Sequence, residues 1–273
     1  MQSEDSSPVR TVLVTQNDNF YLPRYIDGIL APGNTGIVAI VVLPSFSTFS
    51  SMLRHTFALF GPILFVYLGT KHLLLMIVDH FSRFLKLPSR FSVQGIARKH
   101  SVSCYPIRTI NSTDGLSLMK RINPEVIFSL AAPQKFRTEL LSIPSLGCYN
   151  IHSAMLPKYR GIFGIFWAMA HGEQVTGFTI HKMDLDLDTG PIAMQKEVRI
   201  SSTDSYDAAC KNLISEAVPE ILAFLQTLSR LRNELPLREI PEDTLRNSRY
   251  YTFPTAEDRR QFRRLGKKFF RYL

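Results

Sequence analysis

The sequence alternates short, continuous apolar runs with segments of helical period, and this alternation constrains the fold more than any other feature. Val9–Thr15 reads VRTVLVT and Gly36–Leu43 reads GIVAIVVL. Continuous β-branched runs of this kind are typical of strands buried on both faces of a parallel sheet. Between them, Phe20–Leu30 has helical spacing and ends before the breaker pair Pro32–Gly33. The pattern therefore predicts a β-α-β opening.

The same rhythm continues through the middle of the chain. It predicts strands over Val102–Tyr105, Pro124–Leu130 and Gly147–Ile151, and helices over Ser92–His100, Asp114–Ile122 and Gln134–Leu141. Strands separated by helices predict an α/β fold with a doubly wound, mostly parallel sheet of the Rossmann-like kind. In such sheets ligands bind beyond the carboxyl ends of the strands.

The last part of the chain changes pattern. After a helix over Phe163–Ala170, the alternating segments Thr176–Met183 and Ile192–Ile200 predict a hairpin-like pair of strands. Ser202–Arg232 predicts a long amphipathic helix, and Thr255–Leu273 predicts one basic helix. We therefore predict one globular domain over residues 1–235 and a short basic helical extension over residues 236–273.

Composition and charge narrow the class of protein. The chain has 273 residues, 45% of them hydrophobic, so it is long enough to form a full-sized core with a cleft. Residues 244–273 carry nine Lys and Arg against two acids, which accounts for +7 of the net charge of +9. Because the rest of the chain is close to neutral, the charge argues against a nucleic-acid-binding domain.

The cysteines and the N-terminal residues indicate the cellular compartment. Cys104, Cys148 and Cys210 are widely spaced, with no CxxC and no histidine pair at metal-ligand spacing near them. This pattern predicts neither a disulfide framework nor a metal site. The first eight residues contain two acids and no apolar run, unlike a signal peptide. We expect a cytoplasmic protein.

The segment Ser47–Leu87 is the most ambiguous. Thr56–Thr70 holds no charged residue, but Gly61–Pro62 interrupts it, and Lys71 and Asp79 interrupt the apolar run that follows. A membrane span needs about 20 predominantly apolar residues. Helices packed against the sheet are therefore the favoured interpretation. A surface that rests on a membrane comes second and a true span third.

One group of residues in the sequence has side chains suited to catalysis. The chain has no GxGxxG, P-loop or GxSxG motif. Instead Asn150 and His152 stand on one face at a strand end, followed by Leu156–Gly161 (LPKYRG) and by Asp188–Gly190 (DTG). An amide, an imidazole and a carboxylate suit acyl transfer to an amine. The first two hold the developing oxyanion, and the carboxylate orients the histidine and helps remove the amine proton.

These strings at this spacing closely resemble the 10-formyltetrahydrofolate-dependent formyltransferase family, including the catalytic domain of methionyl-tRNA formyltransferase and the sugar N-formyltransferases. The resemblance is strong from about Pro124 to Phe224. It implies the formyltransferase fold, with Asn150, His152 and Asp188 as the catalytic residues and 10-formyltetrahydrofolate as the formyl donor. His181 lies beside the site, and a structural role is favoured for it over a supporting one.

The resemblance also implies a folate pocket. Its walls would be the loop Ser129, Leu130, Ala131, Ala132 and Pro133, the stretch Ala154, Met155, Leu156 and Pro157, and the loop Asp184, Leu185, Asp186 and Leu187. Ala154 stands where the family commonly has Ser, which removes a side-chain hydrogen bond. Asp186 stands where the family commonly has Gly, which adds a charge near the pocket. Lys158 and Arg160 are expected to face the acceptor.

Two features that the sequence lacks restrict the choice of acceptor amine. About 40 residues follow the long helix, too few for the β-barrel that follows this domain in methionyl-tRNA formyltransferases. The loop Thr15–Tyr21 holds no glycine, unlike the phosphate loop of glycinamide ribonucleotide formyltransferases. A nucleotide-linked amino sugar or related small metabolite is therefore the expected acceptor.

Other functions stay open at this point. A methionyl-tRNA formyltransferase-like enzyme without the barrel is one, and a formyltetrahydrofolate hydrolase with similar residues is another. A third is a non-enzymatic adaptor that binds a membrane or RNA through its basic tail. Peripheral membrane contact and a homodimer are also left open.

Overall fold

The structure is a computed structural model that describes residues 7–45, 48–85 and 90–271. The strands are β1 (Thr11–Gln16), β2 (Ile37–Leu43), β3 (Ser103–Pro106), β4 (Val126–Leu130), β5 (Gly147–His152), β6 (Arg160–Gly161), β7 (Val175–Lys182), β8 (Ile192–Arg199) and β9 (Tyr250–Tyr251). The helices are α1 (Leu22–Leu30), α2 (Phe49–Phe84), α3 (Val93–Lys99), α4 (Thr113–Ile122), α5 (Thr138–Leu141), α6 (Gly164–Ala170), α7 (Tyr206–Leu231), α8 (Glu242–Asn247) and α9 (Ala256–Arg264).

Seven strands form the central sheet in the order β3-β2-β1-β4-β5-β7-β8. The first five are parallel, and β7 is antiparallel to both β5 and β8. The predicted doubly wound, mostly parallel sheet is therefore confirmed, with the hairpin-like pair at one edge. Because the strand order reverses between β1 and β4, the carboxyl ends beside this switch point are where a ligand is expected.

Helices cover both faces of the sheet, and their local sequence explains where they begin. Ser92, Ser112 and Ser205 each accept a hydrogen bond from a backbone N–H in the first turn of α3, α4 and α7. The apolar stripe predicted for the long helix is buried as expected. Its members are Ala209, Leu213, Ala217, Ile221, Phe224 and Leu228. Burial of this stripe beneath the sheet makes α7 a main support of the core.

The predicted helix over Gln134–Leu141 is shorter in the structure, where α5 begins only at Thr138. Gln134 explains the difference because its side chain accepts from the Ile110 N–H at 2.9 Å and donates to the Arg108 carbonyl at 2.8 Å. These bonds tie residues 134–137 to a neighbouring loop, where they do not continue a helix.

The prediction of one basic helix over Thr255–Leu273 is wrong. Helix α9 ends at Arg264, and Gly266 follows with a φ of 72°, a conformation that favours glycine and does not continue a helix. Phe262 and Phe269 are buried in the main core, where both rings stack on Phe166. The segment after α7 thus packs on the body, and the boundary at residue 235 stays a prediction. Tyr272 and Leu273 lie outside the described residues.

The apolar segment was expected to form helices packed against the sheet. The structure contradicts this expectation, because most of the surface of helix α2 is not covered by the sheet or by other helices. The segment Ser50–Ser82 is long and apolar enough to cross a membrane. In its most apolar stretch of 18 residues, only 17% is buried inside the protein. Leu59, Leu64 and Leu68 face the body. We call the opposite side the outer face of α2. Its exposed apolar residues are Ile63, Val66, Tyr67, Leu73, Leu74, Met76, Ile77, Val78, Phe81 and Phe84.

Candidate active site

The site begins at the carboxyl end of β5, beside the switch point of the sheet. Asn150 is half-buried and His152 is buried, and the two side chains leave the same face of the strand because they are two residues apart. His152 Nε2 lies 2.8 Å from the Tyr159 carbonyl oxygen. Since a carbonyl only accepts, Nε2 carries the proton of this hydrogen bond and Nδ1 points the other way.

Asp188 occupies a tight turn after β7 and closes the site. Its φ of 57° bends the backbone so that the carboxylate turns inward, and its side chain is 11% exposed. Oδ2 accepts from the Gly161 N–H at 2.7 Å and lies 3.6 Å from His152 Nδ1. The structure therefore brings the three predicted catalytic side chains into one cluster.

His181 is a fourth member of this cluster, although a structural role was favoured for it. In the antiparallel pairing of β5 and β7 it stands directly opposite Asn150. Its Nδ1 donates to the Lys182 carbonyl at 3.1 Å, which leaves Nε2 to accept from Asn150 Nδ2 at 3.2 Å. His181 Nε2 also lies 3.5 Å from Asp188 Oδ1. It fixes the amide of Asn150 and faces the carboxylate.

The electrostatics keep Asp188 ionised. Burial by itself raises the pKa of this carboxyl, but His152 and His181, which face it and are positively charged when protonated, and the Gly161 N–H together lower the pKa to about 2. At neutral pH the cluster therefore holds a carboxylate next to two imidazoles.

Backbone atoms of the LPKYRG segment also belong to the site, and reasoning from the sequence did not identify them. The Tyr159 carbonyl holds His152, and the Gly161 N–H holds Asp188. Gly161 has a φ of 106°, and a Cβ there would lie 2.0 Å from the Tyr251 carbonyl oxygen, so no other residue fits. The glycine is the only signal that the sequence offered for these contacts.

The two residues expected to face the acceptor differ in what they contact. Arg160 donates to the Leu187 carbonyl at 2.9 Å and to Ser248 Oγ at 3.1 Å, so its guanidinium joins the loop before Asp188 to the C-terminal segment. Lys158 is 72% exposed, with its Nζ 3.8 Å from Glu173 Oε1. Lys158 is available to a ligand, whereas Arg160 is occupied by protein partners.

Two of the predicted pocket walls face each other. The loop after β4, which includes Ala131, and the loop Asp184–Leu187 are joined by an ion pair in which Lys135 Nζ lies 3.5 Å from Asp186 Oδ1. Leu185 and Leu187 are exposed apolar side chains on this second loop. Exposed apolar side chains of this kind offer a surface against which a flat aromatic ring such as a pterin can pack.

The third predicted wall, Ala154–Pro157, is mostly interior. Ala154 and Leu156 are buried, and Thr179 Oγ1 donates to the Ala154 carbonyl at 2.8 Å. Gln195 donates to the Leu156 carbonyl at 2.8 Å. These atoms support the site from behind, and a direct contact of this stretch with folate stays a prediction.

Two surface cavities lie elsewhere. One of about 610 Å³ borders Arg10, Glu125 and Arg232 near the amino ends of β1 and β4. The other, about 580 Å³, lies between Lys158 and the C-terminal residues around Arg249. Neither is lined by Asn150, His152 or Asp188.

A doubly wound sheet with an Asn, a His and an Asp clustered at the carboxyl end of β5 fits the class of formyltransferase-like α/β proteins. Comparison with known proteins agrees. Residues 100–223 match the sequence model of the family described as Formyl transferase, and this match confirms the resemblance drawn from the motifs.

Individual relatives support the same class. Methionyl-tRNA formyltransferase from Kosmotoga olearia is 34% identical over 137 residues, which cover 50% of this chain and 44% of that protein. The chain thus spans less than half the length of the curated relatives that it matches.

Solved structures show the fold. The phosphoribosylglycinamide formyltransferase from Anaplasma phagocytophilum superposes with a TM-score of 0.58 at 12% identity, over 90% of this chain and all of that one. WlaRD, a sugar 3N-formyl transferase solved in the presence of dTDP and 5-N-formyl-THF, superposes with a TM-score of 0.54 at 16% identity, over 89% of this chain and 69% of that one.

Proposed function

We propose that this protein transfers a formyl group from 10-formyltetrahydrofolate to a primary amine. The observation that carries the proposal is the cluster of Asn150, His152 and Asp188 at the carboxyl end of β5, with each side chain held in place by protein partners. The family match over residues 100–223 supports the same activity.

The residues divide the chemistry between them. The amine attacks the formyl carbon, the bond from that carbon to the folate nitrogen breaks, and the amine proton replaces the formyl group on the folate nitrogen. Asn150 Nδ2 has a second N–H beside the one directed at His181, and we assign it to the charge that develops on the formyl oxygen. The pair of His152 Nδ1 and Asp188 moves the proton, directly or through water.

The donor is assigned to the opening between the loop after β4 and the loop Asp184–Leu187. When bound there, 10-formyltetrahydrofolate supplies an activated formyl group. Leu185 and Leu187 offer the apolar contacts, and Lys135 and Asp186 border the opening. The location of this pocket beside β5 would bring the formyl carbon to the reactive cluster.

For the acceptor we propose an amino sugar linked to a nucleotide. The near-neutral charge outside residues 244–273 supports a small acceptor, and the sugar 3N-formyl transferase WlaRD shares the fold. The relatives named methionyl-tRNA formyltransferase make initiator tRNA the competing acceptor. A cytoplasmic location is proposed with this function, because the folate donor is a soluble metabolite.

The test is a two-part measurement on the full chain. Calorimetry with 5-formyltetrahydrofolate should show saturable binding to the wild type and to Asp114→Asn, a matched change of an exposed carboxylate on α4. Transfer from 10-formyltetrahydrofolate to an amine panel of nucleotide-linked amino sugars and methionyl-tRNA should then fail in Asp188→Asn and persist in Asp114→Asn.

Each outcome has a meaning. Formate release without any amine would replace the transferase with a hydrolase. Transfer to methionyl-tRNA alone would overturn the amino-sugar acceptor. A folded protein that binds no folate would leave the non-enzymatic adaptor as the better description.

A further inference from the structure

We propose that the outer face of α2, together with the basic C-terminal segment beside it, docks this protein on the surface of an anionic lipid bilayer. The proposal concerns a surface that shares no residue with the reactive cluster, and it stands whether or not the chain transfers formyl groups.

The first observation is the exposure of the outer face. Ile63 is 79% exposed, Val66 65% and Phe84 80%, and the other apolar members recur between them at helical spacing. From Ile63 to Phe81, all of which the structure describes, none of the exposed positions is Asp, Glu, Lys or Arg. Soluble monomers rarely expose a contiguous apolar surface of this length, and such a surface marks a site of interaction.

The second observation is that the two charged residues between Ile63 and Phe81, Lys71 and Asp79, point toward the body. Asp79 is buried and accepts from Ser92 Oγ at 2.6 Å, and Lys71 Nζ lies 5.5 Å from the centre of the Phe20 ring. Leu64 and Leu68 are buried on the same side. One side of the helix therefore packs on the body of the protein, and the other side exposes an apolar face.

The packing of α2 on the body favours a helix that lies on the membrane surface over a helix that crosses the membrane. Pro62–Phe84 is about 34 Å long at the helical rise, enough to cross a bilayer. Crossing would surround the helix with lipid and expose Lys71 and Asp79 to hydrocarbon, which is unfavourable. Because the helix is held along its length by the body, its outer face is placed to lie in the plane of the lipid interface.

The third observation is a basic border. Gly61 has φ 76° and ψ 176°, which breaks α2, and Pro62 has no N–H, so carbonyls before the break lose their helical partners. Arg259 replaces these partners by donating to the Phe57 and Ala58 carbonyls at 3.0 and 2.9 Å. This contact fixes α9 against α2.

The basic segment also reaches the outer face itself. The Phe270 ring lies 6.2 Å from that of Tyr67, an outer-face residue. Among the described residues Arg263, Lys267 and Lys268 take part in no ion pair, whereas Arg260 and Arg264 share Glu257. Uncompensated cations next to an apolar helix face are the combination that anionic headgroups and acyl chains bind together.

Charge also decides between a bilayer and a second copy of this chain. A symmetric dimer through the outer face would bring two C-terminal segments, each with net charge +7, close to one interface. Their repulsion opposes such a dimer, whereas an anionic lipid surface is attracted by the same charges.

Flotation of the full chain with lipid vesicles tests the proposal. We expect binding to vesicles of phosphatidylcholine mixed with phosphatidylglycerol, weaker binding to phosphatidylcholine alone, and loss of the difference at high salt. The triple variant Val66→Gln, Leu73→Gln, Ile77→Gln should lower the partition coefficient by about tenfold or more. Its matched control is Val175→Gln with Leu231→Gln, two exposed apolar positions elsewhere, and should bind as the wild type does.

A second variant keeps the test informative if the first does not fold. Arg263→Gln, Lys267→Gln, Lys268→Gln should reduce binding to the anionic vesicles by about tenfold, with little effect on neutral ones. Neutralising the same number of exposed cations away from α2, at Lys120, Arg121 and Arg137, should leave binding unchanged.

Three results would overturn the proposal. One is a folded wild type that does not float with anionic vesicles. Another is a concentration-dependent dimer that the outer-face variant abolishes while vesicle binding is absent, which would assign the face to a second copy. The third is resistance to extraction by alkaline carbonate with protection of residues around α2 from protease on one side, which would make the helix a span.

Discussion

The turn-rich region 147–190 and helix α2 are two parts of this chain that use apolar sequence in opposite ways. In the first, strands bury their apolar residues and bring polar side chains together, so that Asp188 is held by two imidazoles and a backbone N–H. In the second, a helix buries Asp79 and a few leucines on one side and exposes a row of apolar residues on the other. The first arrangement is explained by chemistry inside the protein, and the second requires a partner outside it.

The largest expected effect is on formyl-transfer activity, which should depend on region 147–190 and not on α2. His152→Ala should lower kcat for formyl transfer by about a thousandfold, because the proton relay to Asp188 and the hydrogen bond to Tyr159 are both lost. His80→Ala, at an exposed position on α2, should leave kcat unchanged. Steady-state kinetics with a soluble acceptor measure both. Equal losses in the two variants would remove the distinction.

The next effect concerns the pH dependence of stability in the cluster. The folded-state pKa of Asp188 is about 2, below its usual value of 3.8, so its ionisation stabilises the fold above about pH 5 and ceases to do so as the pH falls toward 2. Asp188→Asn should therefore lower the free energy of unfolding by about 2 kcal/mol at pH 7, with a shrinking difference below pH 4. Urea titrations at several pH values measure it. A difference that grows on acidification would contradict the assignment.

A somewhat smaller effect tests the attachment of α2. Arg259→Ala should lower the free energy of unfolding by about 1–2 kcal/mol, because the carbonyls of Phe57 and Ala58 lose a charged donor. Arg260→Ala removes only an exposed pair with Glu257 and should change it by less than about 0.5 kcal/mol. If urea denaturation gave the same small value for both, the break in α2 would not depend on α9.

The smallest effect is expected at Asp186, where the family commonly has glycine. Its side chain is 82% exposed and lies 3.5 Å from Lys135 Nζ, so the pair is screened by solvent. Asp186→Gly should change stability by less than about 0.5 kcal/mol and the affinity for 5-formyltetrahydrofolate by less than about twofold. Calorimetry measures the affinity, and a tenfold change would mean that this charge shapes the donor pocket.

Much of the fold followed from the sequence because its pattern is local. The apolar runs of β1 and β2 and the buried stripe of α7 were identified by periodicity, and the structure confirms them. The candidate catalytic side chains were predicted from their motif, and the structure brings them together. Their exact contacts were not accessible, since the Tyr159 carbonyl and the Gly161 N–H are backbone atoms without a side-chain signal.

Two other features were missed for physical reasons. The contact of His181 with Asn150 depends on the register of β5 against β7, which sequence alternation does not determine. The exposure of α2 was missed because an apolar helix buried in protein and one that faces lipid have the same composition. Only the packing around Leu64 and Leu68, on one side alone, distinguishes them.

The hydrogen bonds from Arg259 across the break in α2 also have an evolutionary consequence. Both α2 and α9 lie outside the segment 100–223 that matches the formyltransferase family. Loss of α9 would leave the Phe57 and Ala58 carbonyls without a donor, and loss of α2 would uncover Phe269, whose ring packs against Phe60. The packing of α2 and of the C-terminal segment is thus mutually dependent, and we expect close relatives of this chain to keep both or to lack both.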